Sequence, residues 1–396
     1  MIINKIFKEY RENKNKKEIS ISQIKKELGN MLDKIVLYGA GSAGIAFLHY
    51  LRDAGIYPRY FSDGNPKRWG TILEDIPVIN YKQIVKEVGE DALVIITINT
   101  DGKKYCKSFD EALRIGGHSG VYKNLYESGC NNIIDYTYFR DCWGLFQGDR
   151  YNLPSCSDVY LMEKHENNLC QVYDILADHK SKEVFEKIVR FRMLDDSIEI
   201  PTENQDKQYF EYNFFPQKED EIFVDCGAFN GISLKMFLQV NNYQFKKYYA
   251  VEPDLNNYKV LENYIMSLPG PIKDKIEYMN VAAYNRNGID MLYSLEGPGS
   301  FIADIGRQEV RTVKIDDIVD DQGATFIKMN IEGSELQALR GAQQTIRKFK
   351  PRLAIAGYHK TGDLWDVPSL ILSLNPSYNV FLRSYMNHIS FVYYAV

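Results

Sequence analysis

Twice along this chain a short apolar run breaks at a glycine-bearing turn and continues as a helix, and no other feature restricts its fold so sharply. The first instance runs from Lys34 to Tyr38, through Gly39-Ala40-Gly41-Ser42-Ala43-Gly44, into the helical stretch Ile45 to Ala54. The second runs from Glu221 to Cys226, through Gly227-Ala228-Phe229-Asn230-Gly231, into a helix from Ile232. A continuous apolar strand reads as buried on both faces, so each instance predicts a parallel sheet covered by helices. More strands are expected at Tyr57 to Ser62 and Leu93 to Ile98, then at 247–252, 276–283, 325–330 and 352–358, with hairpin-like material between 288 and 315.

A chain of 396 residues is too long for one ordinary core. The expected fold class is therefore α/β, with two Rossmann-like doubly wound domains joined by a helical segment. The first domain is placed at 1–140, with a leading amphipathic helix in which Ile21, Ile24 and Leu28 fall at helical spacing. A helical connector follows at 141–215, and the second domain occupies 216–396. The polar stretch from Pro201 to Glu221 marks the boundary.

A formal net charge of -5 gives no positive field for neutralising phosphates, which argues against a nucleic-acid substrate. The six cysteines form no C-x-x-C pair, so neither a zinc site nor a disulfide framework is expected. The N-terminus is too charged for a signal peptide, and no run of about 18 apolar residues is available to cross a bilayer. The expectation is a cytoplasmic protein without membrane partners. Twenty-nine tyrosines suit sugar-binding surfaces, although buried tyrosines also build cores.

In the second turn, the spacing Asp225-x-Gly227-x-x-x-Gly231 differs from the dinucleotide pattern, and the helix behind it can hydrogen-bond a carboxylate. Asp225 either orders this turn or faces a ligand amino group. Glu252 ends the next strand, where an acid can accept hydrogen bonds from both hydroxyls of a ribose.

These residues belong to a longer ordered set. D-C-G-A-F-N-G at 225–231, A-V-E-P-D at 250–254, N-V-A-A-Y-N at 280–285, V-K-I-D-D-I at 313–318 and F-I-K-M-N-I-E-G-S-E-L-Q-A-L-R-G-A at 326–342 follow one another, and the pattern continues through Lys350 to Lys360 and Asp363-Leu364-Trp365. Together they resemble FkbM-family methyltransferases over about 175 C-terminal residues. The resemblance implies a class I methyltransferase fold, S-adenosylmethionine as cofactor, and methyl transfer to a hydroxyl of a sugar or polyketide. Carried over residue by residue, it implies cofactor contacts at Asp225, Gly227, Ala228, Gly231 and Glu252, with Asn280, Ala282 or Ala283 near the adenine. Where the family usually has aspartate this chain has Asn330, an amide that can orient a substrate hydroxyl or bind a metal weakly; no metal requirement is expected. A binding protein that keeps this fold without turnover is the competing reading.

Aligned binding of two reactants is the main demand of methyl transfer, and a base adds roughly 10² to 10⁴. His359, at the end of the last parallel strand, is the first choice as base or hydroxyl orienter; a structurally bonded histidine is the alternative. Lys328 and Glu332 are expected to pair at the floor of the site beside Asn330, and Glu335 to stabilise a helix start. Asp316 and Asp317 read as structural strand-end acids or substrate contacts, and the turn Glu296 to Ser300 as a pocket rim.

In the first domain, Gly39-x-Gly41-x-x-Gly44 with Asp63 on the next strand meets the context of a dinucleotide fingerprint. The stretch from Tyr60 to Gly70, with Ile76 to Ile79, also resembles nucleotide-sugar-binding domains of bacterial sugar acetyltransferases over about 70 residues. A nucleotide or nucleotide-sugar site, a ligand-free scaffold and an NAD site all remain open for this domain. The acceptor, its methylated position and the oligomeric state are not readable from the sequence.

Overall fold

A computed structural model describes residues 2–13, 21–98, 120–136, 159–194, 199–211, 213–293, 300–302, 308–386 and 390–396. Part of the expected connector, at 141–158, 195–198 and 212, and most of the rim turn, at 296–299, lie outside the described residues. The chain divides into two compact units, Met1–Glu166 with Val189–Ile198, and Asn167–Ile188 with Glu199–Val396. The helix His179–Leu194 is thus shared between them.

Unit one is built on strands β1 (Ile35–Tyr38), β2 (Tyr60–Asp63), β3 (Ile72–Leu73), β4 (Ile76–Asn80), β5 (Leu93–Ile96) and β6 (Asn132–Asp135). Their order is β3-β4-β2-β1-β5-β6, parallel throughout except for the β3–β4 pair. Every residue of β1 and β5 is buried, as their unbroken apolar runs require. β2 starts later than the expected Tyr57 because Pro58 has no N–H for a ladder; Arg59 makes the first bond, to Ile35.

Unit two carries β7 (Ile222–Cys226), β8 (Lys247–Val251), β9 (Ile276–Met279), β10 (Ala282–Ala283), β11 (Gly288–Tyr293), β12 (Phe301–Ile302), β13 (Gln308–Val313), β14 (Phe326–Met329), β15 (Arg352–Ala356), β16 (Val380–Met386) and β17 (Ser390–Ala395). The main sheet runs β16-β17-β15-β14-β7-β8-β9, with β17 antiparallel to both neighbours. The segment expected as one strand at 276–283 is two, because the chain leaves the main sheet after β9 and β10 joins a four-stranded sheet, β10-β13-β11-β12.

Aromatic side chains fill one core layer of this unit. Phe223 stacks on Tyr248 and Phe326 with ring centroids 5.0 Å apart in each case, and Phe215 meets Phe326 edge-on at 4.8 Å. Such pairs add about 0.5–1.5 kcal/mol each beyond the area they bury. They hold β7 and β14 firmly side by side, which matters because the sheet reverses its direction of winding between these two strands.

Candidate functional site

A cavity of about 380 Å³ opens at the carboxyl ends of β7, β8 and β14. Such a reversal point is where open α/β sheets leave a crevice for ligands. Gly227 lines it with φ 80, and a Cβ there would stand 2.1 Å from the carbonyl oxygen of Asn330. Only glycine permits both that conformation and that approach. Gly231, at φ 89, begins the helix Ile232–Val240 against the ring of Tyr264.

Asp225 is fully buried beneath this turn and does not line the cavity. Its Oδ2 accepts hydrogen bonds from Ser233 Oγ at 2.5 Å and Tyr248 Oη at 2.6 Å, while Lys328 Nζ lies 2.8 Å from its Oδ1. Of the two roles open to Asp225, the geometry gives it the ordering of the turn. Lys328 donates to the carbonyls of Gly227 at 2.7 Å and Cys226 at 3.3 Å, so the ammonium clamps the same turn. The expected Lys328–Glu332 pair is not formed: β14 aligns Lys328 with Asp225 on the adjacent strand, which takes its charge instead.

Glu252 closes β8 and reaches the cavity wall. Its Oε2 accepts from the Phe229 N–H at 2.8 Å and its Oε1 from the Asp254 N–H at 3.0 Å. Burial pushes its pKa up to about 7, against the opposing pull of these backbone donors. Ala282 and Ala283 line the cavity near it. Asn280 does not; its amide donates to the carbonyls of Glu252 at 2.9 Å and Pro253 at 2.8 Å and so fixes the acid from behind. Ala228 and Gly231 likewise shape the turn without lining the cavity.

The loop after β14 supplies Asn330 and Glu332 to the cavity. Tyr358 donates to Asn330 Oδ1 at 3.0 Å. Glu332 adopts φ 54, a left-handed conformation uncommon for a side-chain-bearing residue and frequent at functional sites. His359, expected at the reacting centre, is buried behind this loop and does not line the cavity. Its Nε2 lies 3.6 Å from Glu332 Oε1 and its Nδ1 2.9 Å from Glu335 Oε1. Burial alone would lower the imidazole pKa, but the Glu335 and Glu332 carboxylates outweigh it and raise it well above the ordinary value. Glu335 accepts from the N–H groups of Ile331 at 2.8 Å and Gly333 at 2.9 Å, fulfilling the structural role expected of it. Asp363, next to this pair, is pushed up to about 7, by burial first and then by Glu335. Glu335, His359 and Asp363 offer ligand-type atoms within 4.8 Å of one another, a set chemically able to hold a metal, although charge pairing already accounts for their approach. Asp316 is structural: it accepts from the N–H groups of Gln344 at 3.1 Å and Thr345 at 2.8 Å at the start of the helix Gln343–Phe349.

One part of the wall was read from sequence only as a domain boundary. Gln205, Asp206, Gln208 and Tyr209 line the cavity from a segment that precedes β7. Tyr209, at φ 74, donates its N–H to Tyr394 Oη at 2.9 Å, and Gln208 Nε2 donates to Ser390 Oγ at 3.2 Å. Phe210, Phe214 and Phe215 anchor the segment in the aromatic core. Those three aromatics, inside an otherwise polar stretch, are the signal that it packs rather than links.

In unit one, the first glycine turn is equally tight. A Cβ on Gly44 would lie 1.9 Å from the Gly39 carbonyl oxygen, and Gly39 has φ 118. Gly41 begins the helix Ser42–Asp53. Asp63 turns both oxygens to the backbone, accepting from the Ala40 N–H and the Asn65 N–H, each at 2.8 Å. Arg68 donates to the Ala40 carbonyl across the same turn.

Residues 225–393 match the model of the methyltransferase FkbM domain. No curated protein matches the chain. Among solved structures, a methyltransferase FkbM from Methylobacillus flagellatus KT is 22% identical, with a TM-score of 0.67 over 100% of this chain and 99% of that one. At that identity the likeness establishes the fold, two Rossmann-like sheets with a class I methyltransferase arrangement. A putative methyltransferase from Streptococcus mutans in complex with SAH covers 46% of this chain and 94% of its own at 14% identity and a TM-score of 0.31, too distant to carry argument. The resemblance of residues 60–79 to sugar acetyltransferases finds no support in these comparisons.

Proposed function

We propose that this unit, whose residues 225–393 match the model of the methyltransferase FkbM domain, transfers a methyl group from S-adenosylmethionine to a hydroxyl of a sugar or glycan precursor. The observation that carries the reading is Glu252, a desolvated acid on the cavity wall beside the backbone turn at Gly227. A ribose offers two hydroxyls to such an acid, and the side-chain-free surface of Gly227 admits a ligand close to the backbone. When bound, the cofactor supplies an electrophilic methyl group on a positively charged sulfur.

The chain's own residues then have separable tasks. Asp225 and Lys328 hold the turn rigid, so that the donor and acceptor positions are fixed relative to each other. Asn330, whose Oδ1 is engaged by Tyr358, keeps its amide N–H groups for an acceptor oxygen. Glu332 lines the cavity, where it would accept the proton of an acceptor hydroxyl. His359 acts through Glu332 as a positioning residue, holding that carboxylate in its left-handed backbone setting.

Calorimetry of the full chain with adenosylhomocysteine tests the cofactor site; absence of heat with wild-type protein would refute it. Incubation with methyl-labelled donor and candidate sugars, read by mass spectrometry for a gain of one methylene, tests turnover. Cofactor binding without transfer to any hydroxyl compound would favour the binding-protein reading that Asn330 suggests. For the first unit, the engagement of both Asp63 oxygens favours a scaffold over an NAD site. Saturable heat on titrating the full chain with NAD would reverse that preference, and heat with UDP- or GDP-sugars would restore the nucleotide-sugar reading.

A further inference from the structure

Two residues of the cavity wall, Gln208 and Tyr209, are joined to each other by their side chains. Gln208 Nε2 donates to Tyr209 Oη at 3.1 Å and to Ser390 Oγ at 3.2 Å, so both of its N–H bonds are used within the protein. An amide fixed in this way has its oxygen, Oε1, left to offer a ligand. The phenol is fixed in the complementary sense. Its oxygen accepts from Gln208, so its own hydrogen is directed elsewhere and the group remains a donor. Burial holds the phenol pKa well above the ordinary value, which keeps that proton in place at neutral pH.

The ring of Tyr209 is held from several sides. Lys328 Nζ lies 5.3 Å from its centroid, Tyr394 Oη accepts the Tyr209 N–H at 2.9 Å, and the backbone stands at φ 74. A bulky residue in a left-handed setting persists where its surroundings impose it, and such settings gather at ligand clamps. The pair is also tied to the reacting side of the cavity. Ser390, which receives Gln208, hydrogen-bonds the Tyr358 side chain as well, and Tyr358 donates to Asn330 Oδ1 at 3.0 Å. Through these two hydroxyls the lining amides of Gln208 and Asn330 are set in opposite senses, a carbonyl oxygen from one and N–H groups from the other.

We infer that Gln208 and Tyr209 form a station for a second hydroxyl of the acceptor, one that is recognised and not methylated. The inference rests on the methyl-transfer reading and narrows its substrate class to compounds with at least two hydroxyls. The hydroxyl that gains the methyl group belongs with Asn330 and Glu332. The second one gives its hydrogen to Gln208 Oε1 and receives that of Tyr209, using both capacities of an alcohol. Oε1 belongs to the same amide whose nitrogen is 3.1 Å from the phenol oxygen, so one ligand oxygen can reach both groups. A methylene at that place leaves two protein groups unmatched.

The test uses the full chain saturated with adenosylhomocysteine, whose own binding is measured first. Glucose, galactose and mannose are titrated by calorimetry, followed by the monodeoxy analogues of whichever binds most tightly. One analogue, lacking a hydroxyl other than the one that gains label from a methyl-labelled donor, is expected to bind about ten-fold or more weakly. In Tyr209→Phe, which keeps the ring beside Lys328, and in Gln208→Leu, that penalty is expected to shrink to about two-fold while the other analogues keep their ratios. A deoxy series without such a position overturns the inference. So does a penalty that either variant retains in full, or a cofactor-loaded protein that binds no hexose. Absence of heat with adenosylhomocysteine would instead sink the methyl-transfer reading, and the station with it.

Discussion

Lys328 Nζ stands 2.8 Å from Asp225 Oδ1, with both side chains almost wholly out of water, and the same ammonium reaches across to the carbonyl of Gly227. One cation therefore ties two central strands and the glycine turn together. Truncating it leaves a buried carboxylate without its counter-charge. Lys328→Ala is expected to destabilise the protein by about 3–5 kcal/mol, measured by urea unfolding. A loss below about 1 kcal/mol would show that the pair is dispensable.

Cofactor affinity should depend on pH through Glu252. Its pKa in the folded protein is raised from 4.5 to about 7 by burial, and the charged form is the better acceptor for ribose hydroxyls. Affinity for adenosylhomocysteine is expected to fall up to about ten-fold per pH unit below that pKa, and to level off above it. The unliganded protein should respond in the opposite sense. An acid raised on folding makes the native state lose stability as pH climbs from 4.5 to about 7. Glu252→Gln should flatten both profiles, as calorimetry and denaturant titrations across this range would reveal.

The His359–Glu335 pair has its own pH window. The histidine is raised above its ordinary 6.5 and the glutamate lowered below its ordinary 4.5. Raised-histidine stabilisation is complete below 6.5 and is lost as pH rises through the folded value; lowered-glutamate stabilisation is complete above 4.5 and is lost as pH falls through the folded value. The stability difference between wild type and His359→Asn should thus peak between 4.5 and 6.5, at about 3 kcal/mol. If His359 acts through Glu332, this variant should also lower kcat more than it raises KM, a split that a purely structural loss would not produce.

Gly227→Ala should be more damaging than its size suggests. The new methyl would meet the Asn330 carbonyl at 2.1 Å in a backbone held at φ 80. A cost of at least about 2 kcal/mol is expected, with loss of adenosylhomocysteine binding in whatever protein remains folded.

What could be read from sequence was whatever is local. The strand, turn and helix at 222–240 follow from an apolar run and two glycines, and Glu252 followed from its place at a strand end. Pairings across strands were not readable in the same way. Sequence proximity pairs Lys328 with Glu332, four residues on, because register is invisible along the chain; once β7 and β14 lie side by side, Asp225 is its neighbour. The sequence points His359 to the reacting centre for the same reason, since a strand end fixes the position of a residue but not the face it turns to. The contribution of Gln205 to Tyr209 depended on aromatic anchors that pack against strands remote in sequence.

Where Gly227 lacks a side chain, the carbonyl of Asn330 rests in its place, so the loops that would seat donor and acceptor share a single joint. Neither can shift without carrying the other. Divergence towards new acceptors is then cheapest at positions outside that joint, of which Gln205 and Gln208 are the accessible pair, while the hinge itself stays frozen.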